Sequence, residues 1–499
     1  MPLSPDAVRR REFLLASLAF AIPTPGSAQI RRENAQPGTT AWQLSKVRTN
    51  KGKGFRTSII EGYASHQSIE AGQTLNIFLS AEPARRATID LYRMGYYGGA
   101  GARHITQLGP VAVKPQPEPP VGPKRLRECT WEPSAQWKIP AGTPSGVYLG
   151  KLTTVPESKH EHAWQSYIVF ILRDRRKADI VFQVSDNTWA AYNRWPDDYS
   201  MYTDPRHPWA PSVASSFDRP YGKYAQIYDH PLSVGSGEFL LWEFPLAYWL
   251  EMHGYDVTYT SNSDMLSAAE FERARVFLSV GHDEYWDPRQ YDAALASVQS
   301  GVSHLYLSGN SVFGVVPFQP SSDGRPNRII SREGIFGGVY GTFGSWLKYP
   351  FPQEGPRANK LIGAHSVYPF NGGDDWRATN TRHWMFDATN MKPGDSIPGL
   401  VGWEFHGDPA DIAGLEIVAE GDALSGGVRP SHWTSTIYPG PKRNHVFNAS
   451  TIWWAQGLSS PPGHILPWSH GVRPSGPDLR VQRITQNLLH RALNSHKKA

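Results

Sequence analysis

The run Gly281-His282-Asp283-Glu284-Tyr285-Trp286 concentrates chemistry more than any other in the chain. If the backbone stays extended there, His282 and Glu284 share one face and Asp283 takes the other, because side chains alternate along a strand. An imidazole and a carboxylate on one side of a strand end suit a metal and its supporting partner, or an acid/base pair. A hydrogen-bonded cluster that only fixes the strand-to-helix turn would use the same residue types. Three other polar segments have the same setting, directly after an apolar run. They are Ser185-Asp186-Asn187-Thr188-Trp189-Ala190-Ala191-Tyr192-Asn193, Ser261-Asn262-Ser263-Asp264 and Gly309-Asn310-Ser311.

Several mechanisms drop out. The sole cysteine, Cys129, lies far from these segments, so thiol chemistry, a disulfide within the chain and a four-cysteine zinc site are excluded. A serine nucleophile would fall to Ser308 or Ser311, but no G-x-S-x-G elbow accompanies them. Glu284 paired with Glu404 would suit glycoside hydrolysis if the carboxyls stood roughly 5–9.5 Å apart.

The elements that must position these residues follow from hydrophobic pattern. Ala178 to Val184 is a continuous apolar run, suited to a buried parallel strand. Strands are expected again at Asp256–Thr260, Arg275–Val280 and His304–Ser308, with helices between. One runs from Leu246 to His253, and another starts with Asp287 as N-cap and Pro288 at N1 and ends at Gly301. This alternation predicts a doubly wound α/β domain over 176–499, where ligands bind beyond the carboxyl ends of the strands. All four polar segments should therefore meet on one edge. The strand end at Ser308-Gly309-Asn310-Ser311 invites comparison with glutamine amidotransferase-like folds, although no cysteine stands there. Short strand candidates at Leu415–Ala419 and Val446–Phe447 and a final helix near Asp478–Asn494 complete this part.

Residues 58–175 read differently. Thr74–Leu79, Thr88–Tyr92 and Ser166–Ile171 alternate at period two between Gly/Pro turns, which predicts an immunoglobulin-like β-sandwich. Residues 29–57 are polar and expected to carry little structure. A long excursion between the first two α/β strands is rich in Tyr, Trp and acids, including Tyr199, Tyr202, Phe217-Asp218-Arg219-Pro220-Tyr221 and Gly237-Glu238-Phe239. Such an excursion inside a compact domain is usually functional.

With 499 residues, 39% of them hydrophobic and 19% charged, wholesale disorder is excluded. A net charge of +5 without a long Lys/Arg run argues against nucleic-acid binding. Arg10-Arg11-Glu12-Phe13-Leu14, the apolar stretch Phe13–Ile22 and Gly26-Ser27-Ala28 resemble a twin-arginine export signal over residues 1–28. The expected location is thus periplasmic or secreted. No other stretch is long and apolar enough to span a bilayer, so an integral membrane protein is not expected.

Taken together, Val184–Trp189 with Tyr192-Asn193, Asp218–Tyr221, Trp242-Glu243, Gly254–Val257, Gly281–Trp286 and Gly309-Asn310 resemble the N,N-dimethylformamidase large (beta) subunit family. Val401–Glu404, Val446–Ala449 and Tyr92–Gly99 extend the likeness. The resemblance implies an amidohydrolase with a mononuclear Fe³⁺ held by two tyrosines and a glutamate. The glutamate corresponds to Glu284. Tyr192 and Tyr221 are the expected tyrosines, with Tyr199 and Tyr202 as rivals. His282, Asn310 and Glu404 would be the catalytic polar neighbours. Phenolates and a carboxylate are hard anionic donors, suited to Fe³⁺. The implied partner is a small-molecule amide. A homo-oligomer is compatible with this reading, and the small second subunit of the characterised type has left no sign in this chain. The competing expectation is a non-catalytic exported protein that binds carbohydrate or envelope polymer through surface Trp and Tyr.

Overall fold

The computed structural model describes residues 25–50, 56–202, 214–222, 231–336, 353–355, 357–367, 369–425 and 429–495. The paired arginines and the apolar stretch of the expected export signal lie outside the described residues.

The chain is mixed α/β with many strands and few helices. In the N-terminal part, Glu61–Ala64, Thr74–Ser80 and Ala135–Lys138 form a three-stranded sheet. Ser68–Glu70, Gln165–Arg173, Gly146–Thr154, Arg85–Met94 and Ala102–Val113 form a five-stranded one. Alternation does what the sequence requires: Leu75, Ile77 and Leu79 from the first sheet share an apolar core with Ile89, Leu91, Leu152 and Phe170 from the second.

The first described part of the expected polar leader is helical and packs onto the core. Helix α1 (Pro25–Asn34) includes Ala28, and Ile30, Trp42 and Leu44 are buried in the principal core. Asn34 accepts from the backbone N–H groups of Tyr96 and Tyr97, each at 2.9 Å. Isolated apolar residues in a polar stretch carry no period, so the sequence gives no hint of this docking.

A seven-stranded sheet builds the rest. Its strands are β1 (Ala178–Gln183), β2 (Val257–Thr260), β3 (Ala274–Gly281), β4 (Ser303–Ser308), β5 (Glu416–Ser425), β6 (Arg429–Pro439) and β7 (His445–Asn448). Their spatial order is β2-β1-β3-β4-β7-β6-β5. β1, β2, β3, β4 and β7 pair in parallel, and β6 runs antiparallel to both of its neighbours, β7 and β5. β4 is buried along its whole length, as a parallel strand covered on both faces must be. The β5–β6 hairpin is far longer than the short strand expected near Leu415.

The longer helices are α2 (Asp186–Tyr192), α3 (Phe244–Met252), α4 (Pro288–Ser300) and α5 (Leu479–Asn494). Asp287 caps α4 by accepting from the Arg289 N–H at 2.8 Å, and Gly301 closes it in the left-handed conformation. α5 buries Val481, Ile484, Leu488, Leu489 and Ala492, an apolar stripe at helical spacing. Helix α2 was not expected: it is short and buried nearly all round, so it has no amphipathic period.

A fully buried ion pair is among the contacts that tie the two parts together. Arg93, from the five-stranded sheet, donates to both oxygens of Glu251 on α3, at 2.9 and 2.8 Å, with neither side chain exposed. Tyr259 on β2 donates to the same carboxylate at 2.9 Å. Among the described residues no helix is long and apolar enough to cross a membrane.

Candidate functional site

Parallel pairing brings the carboxyl ends of β1, β2, β3 and β4 to one edge, and the four polar segments meet there. Gly281 ends β3 with φ +71, and a Cβ on it would stand 2.7 Å from Cβ of Trp242. That close approach turns the chain so that the next three side chains separate.

Asp283 points into the scaffold. Its carboxylate accepts from Gln183 (2.8 Å), Asn262 (3.1 Å) and Ser279 (2.8 Å), and its N–H donates to Ser308 Oγ at 3.2 Å. Ser308, a formal candidate for a nucleophile, is thus a buried structural acceptor. The Ser311 N–H donates to His406 Nε2 at 2.8 Å.

His282 and Glu284 point the other way, together. His282 Nε2 lies 2.7 Å from Glu404 Oε2 and 3.4 Å from Glu284 Oε2. Asn310 Nδ2 donates to the same Glu404 oxygen at 2.9 Å. The Ser366 hydroxyl donates to the Asn310 side-chain carbonyl. Gly309 permits this contact: a Cβ there would stand 2.1 Å from the Glu404 carbonyl oxygen. The Glu284 N–H is held by Thr188 Oγ1 of α2 at 3.0 Å.

Two tyrosines converge on Glu284. Tyr192, at the end of α2, donates to Oε2 at 2.8 Å, and Tyr202 donates to Oε1 at 3.0 Å. Their rings stack with centroids 4.8 Å apart. Arg332 lies over the Tyr202 ring at 4.9 Å.

Tyr221, expected as the second tyrosine, is placed elsewhere. It packs edge-on against Trp189 at 6.3 Å. Its neighbours explain why: Asp218 is clamped by Arg325 and Arg328, and Arg219 donates to the carbonyls of Trp195, Tyr199 and Asn193. The Asp-Arg-Pro-Tyr motif therefore anchors the excursion, and Tyr202 is the ring that reaches Glu284. Tyr199 sits beneath Arg127 at 4.5 Å, away from the site. No spacing rule singles out Tyr202 or Arg332; their signal exists only in three dimensions.

Electrostatics follow from this crowding. Burial raises the Glu284 carboxyl, and the charge of Glu404 raises it further, to about 8, against the pull of His282 and Tyr192. Burial opposes a charge on His282, but Glu404 and then Glu284 overcome it and push the imidazole up to about 9. Burial, then Glu284, pushes the Tyr192 phenol well above its ordinary value.

His282, Glu284 and Glu404 each offer a ligand atom, and the three atoms lie within 4.8 Å of one another in a buried setting. This group can hold a metal ion. The donors are carboxylate oxygens and an imidazole, with two phenols against Glu284, and the excess of buried acid calls for a cation. The residues present thus fit a hard metal.

Two competing arrangements lose support. The facing carboxylate oxygens of Glu284 and Glu404 stand within 4.8 Å with His282 Nε2 beside both, so an imidazole rather than open space lies next to the pair, which a glycosidase would need to keep open. Trp189, Trp195, Trp242, Trp286, Trp433 and Trp453 are all buried, and among the described tryptophans Trp468 is the one largely exposed. Most of the described tryptophans are thus core residues, which does not favour a sugar-binding aromatic surface.

No curated protein matches the sequence. Among solved structures, a family 123 glycoside hydrolase from Clostridium perfringens is similar over 26% of this chain and 27% of its own length, with 11% identity and a TM-score of 0.11. The chain thus spans about a quarter of that protein, and so slight a likeness carries no argument. The profile of the family described as N,N-dimethylformamidase beta subunit-like, C-terminal, matches residues 88–466, which include every side chain of the site above. The chain therefore belongs to the N,N-dimethylformamidase beta subunit-like family.

Proposed function

We propose that this protein is an exported, iron-dependent amidohydrolase that cleaves the C–N bond of a small amide or formamide. The observation that carries the reading is the convergence of Tyr192 and Tyr202 on the two oxygens of Glu284, with His282 and Glu404 beside them. Tyr192, Tyr202 and Glu284 would hold the ion. Fe³⁺, when bound, supplies Lewis acidity: it polarises an amide carbonyl and lowers the pKa of water.

The remaining work falls to the chain's own residues. Glu404 accepts a proton from the attacking water, and the His282–Glu404 pair passes it toward the leaving nitrogen. Asn310, fixed by Glu404 and Ser366, aims its amide N–H at the oxygen that gains charge in the tetrahedral intermediate. Asp283, saturated by neutral donors, holds the strand end in place. The N-terminal sheets are read as the immunoglobulin-like domain of residues 58–175. The parallel sheet is read as the amidotransferase-like α/β domain of 176–499, and residues 1–28 as an export signal.

The test is turnover of a panel of formamides and acetamides, including N,N-dimethylformamide, by the iron-loaded protein. Release of amine and acid in equal amounts is expected. Full iron occupancy with no amide turned over would overthrow the reading.

A further inference from the structure

The two phenols that converge on Glu284 belong to a longer pile of side chains. The Tyr192 and Tyr202 rings stack with centroids 4.8 Å apart and 24° between their planes. The His282 imidazole lies 5.6 Å from the Tyr192 ring, and the Arg332 guanidinium carbon lies 4.9 Å from the centre of the Tyr202 ring. The order is thus imidazole, phenol, phenol, guanidinium. Tyr285 closes one side of the pile, steeply inclined to both tyrosines at 6.3 and 6.4 Å. Arg332 is only 7% exposed, so its charge meets the ring largely shielded from water. A cation over an aromatic face is attracted to it, and more strongly when desolvated.

The backbone around Arg332 is pinned. Arg332 follows the strand Ile329–Ser331, which pairs with both Ala214–Ser216 and Phe318–Gln319. Arg328, just before that strand, donates to Asp218 at 2.7 Å, and the Ser331 hydroxyl accepts from Lys124 at 3.1 Å. Ser215, on the neighbouring strand, donates to the Ala190 carbonyl of α2 at 2.6 Å. The same small sheet therefore fixes Arg332 and grips the helix that carries Tyr192. An apolar side chain would cover the Tyr202 face without the cost of burying a charge. A guanidinium there has a use when the ring beneath it is negative. A phenolate donor spreads its charge into the ring, so a cation across the ring face meets it more strongly than it meets a phenol.

We propose that Arg332 is a positioning residue of the metal site: it holds the Tyr202 ring against Tyr192 with its hydroxyl on Glu284, and its charge, acting through the ring face, draws electron density from the phenolate donor to iron. The inference rests on the iron reading above. It gives the two tyrosines unequal character, because Tyr202 faces Arg332 directly and Tyr192 lies one ring further away.

The test is addition of Fe³⁺, as its citrate, to the metal-free full-length protein, followed by visible absorption and a redox titration. Wild type, Arg332→Met and Arg332→Lys are compared. Arg332→Met should weaken iron binding at least about tenfold. Its charge-transfer band should move to longer wavelength, because without the cation the phenolate gives up an electron more easily. Its reduction potential should fall, because a neighbouring positive charge favours Fe²⁺. Arg332→Lys, which keeps a charge, should lie nearer to wild type in both. A role confined to packing would lower stability and leave band and potential in place. A folded Arg332→Met with wild-type affinity, band and potential overturns the proposal, as does an Arg332→Lys indistinguishable from Arg332→Met. Should Arg332→Met not fold, Arg332→Gln carries the same expectations. Failure of the iron reading looks different: wild type then takes up no iron, or takes it up without the band, and this inference falls with it. Amide turnover is read separately, and a band that shifts as expected in a protein that cleaves no amide leaves the role of Arg332 standing.

Discussion

Asp283 and Glu284 are adjacent in sequence, equally buried and alike in chemistry, yet they belong to two different kinds of acidic cluster. Asp283 faces Gln183, Asn262 and Ser279, neutral donors that satisfy its oxygens. Glu284 faces two phenols and an imidazole, and shares its space with Glu404. The first cluster is complete as it stands. The second is a concentration of acidic groups that exchange protons among themselves or surrender them to a metal. The difference teaches that an acid's role here is set by the donors its strand end turns it toward, not by its residue type or burial.

The sharpest way to break the comparison is to mutate both neighbours. Glu284→Ala should remove metal binding and activity together. Asp283→Asn should keep the metal while making the fold about 1–3 kcal/mol less stable, as expected when a buried hydrogen-bonded group loses its partners' match. Elemental analysis with thermal melts separates the two. If Asp283→Asn lost the metal and Glu284→Ala kept it, the assignment of clusters would be reversed.

Changes within the second cluster that spare the phenols should act on rate. Glu404→Gln should lower kcat by about 10²–10⁴ through loss of proton transfer. Asn310→Ala should lower it by about 10²–10³ through loss of a donor to developing charge. Both should keep their iron, which steady-state kinetics on metal-quantified protein will check.

The tyrosines sharpen the comparison further. Tyr202→Phe should weaken metal binding by about 10–100-fold and diminish any phenolate-to-iron absorption band. Tyr221→Phe should leave both unchanged, because its ring lies against Trp189. The opposite pattern would restore Tyr221 as the ligand.

The smallest effect is on pH dependence. Asp186, Glu238 and Glu284 are each pushed up to about 8, in every case first by burial, and His282 is pushed up to about 9 against burial by Glu404. Between pH 7 and 8 all four hold protons in the folded state that the unfolded chain has released. Stability of the metal-free protein should therefore fall as pH rises through this window, by about 1.4 kcal/mol per pH unit for each proton held. His304 and His406, depressed to about 3 by burial, are neutral in both states above pH 7 and add no slope. Iron should release a proton from Glu284 and flatten the profile. Denaturant melts of both forms from pH 6.5 to 8 measure this.

How much of this was legible in the sequence follows from how local each signal is. β1, β3 and β4 are short strand-forming segments with apolar centres, and α4 carries both of its caps in the chain as Asp287-Pro288 and Gly301. Those elements, and hence the edge where His282, Glu284 and Asn310 meet, follow from local pattern. Helix α2 does not: buried all round, it shows no period, and Tyr192 was legible only through the family resemblance. In the sequence Tyr202 is a rival to Tyr192 and Tyr221, and no local signal ranks it above Tyr221. The structure shows the charges of the Asp-Arg-Pro-Tyr motif spent on anchoring, with Asp218 held by Arg325 and Arg328 from far along the chain. Arg332 and Ser366 bear on the site through contacts that span dozens of residues or more, which no spacing rule encodes.

The central claim is a metal held by phenolates and Glu284. The most direct measurement is elemental analysis of the purified full-length protein combined with its visible absorption spectrum. The account predicts about one iron per chain and a tyrosinate-to-Fe³⁺ charge-transfer band that is lost in Glu284→Ala. A protein that binds no metal after iron loading, or binds iron without that band, would contradict it.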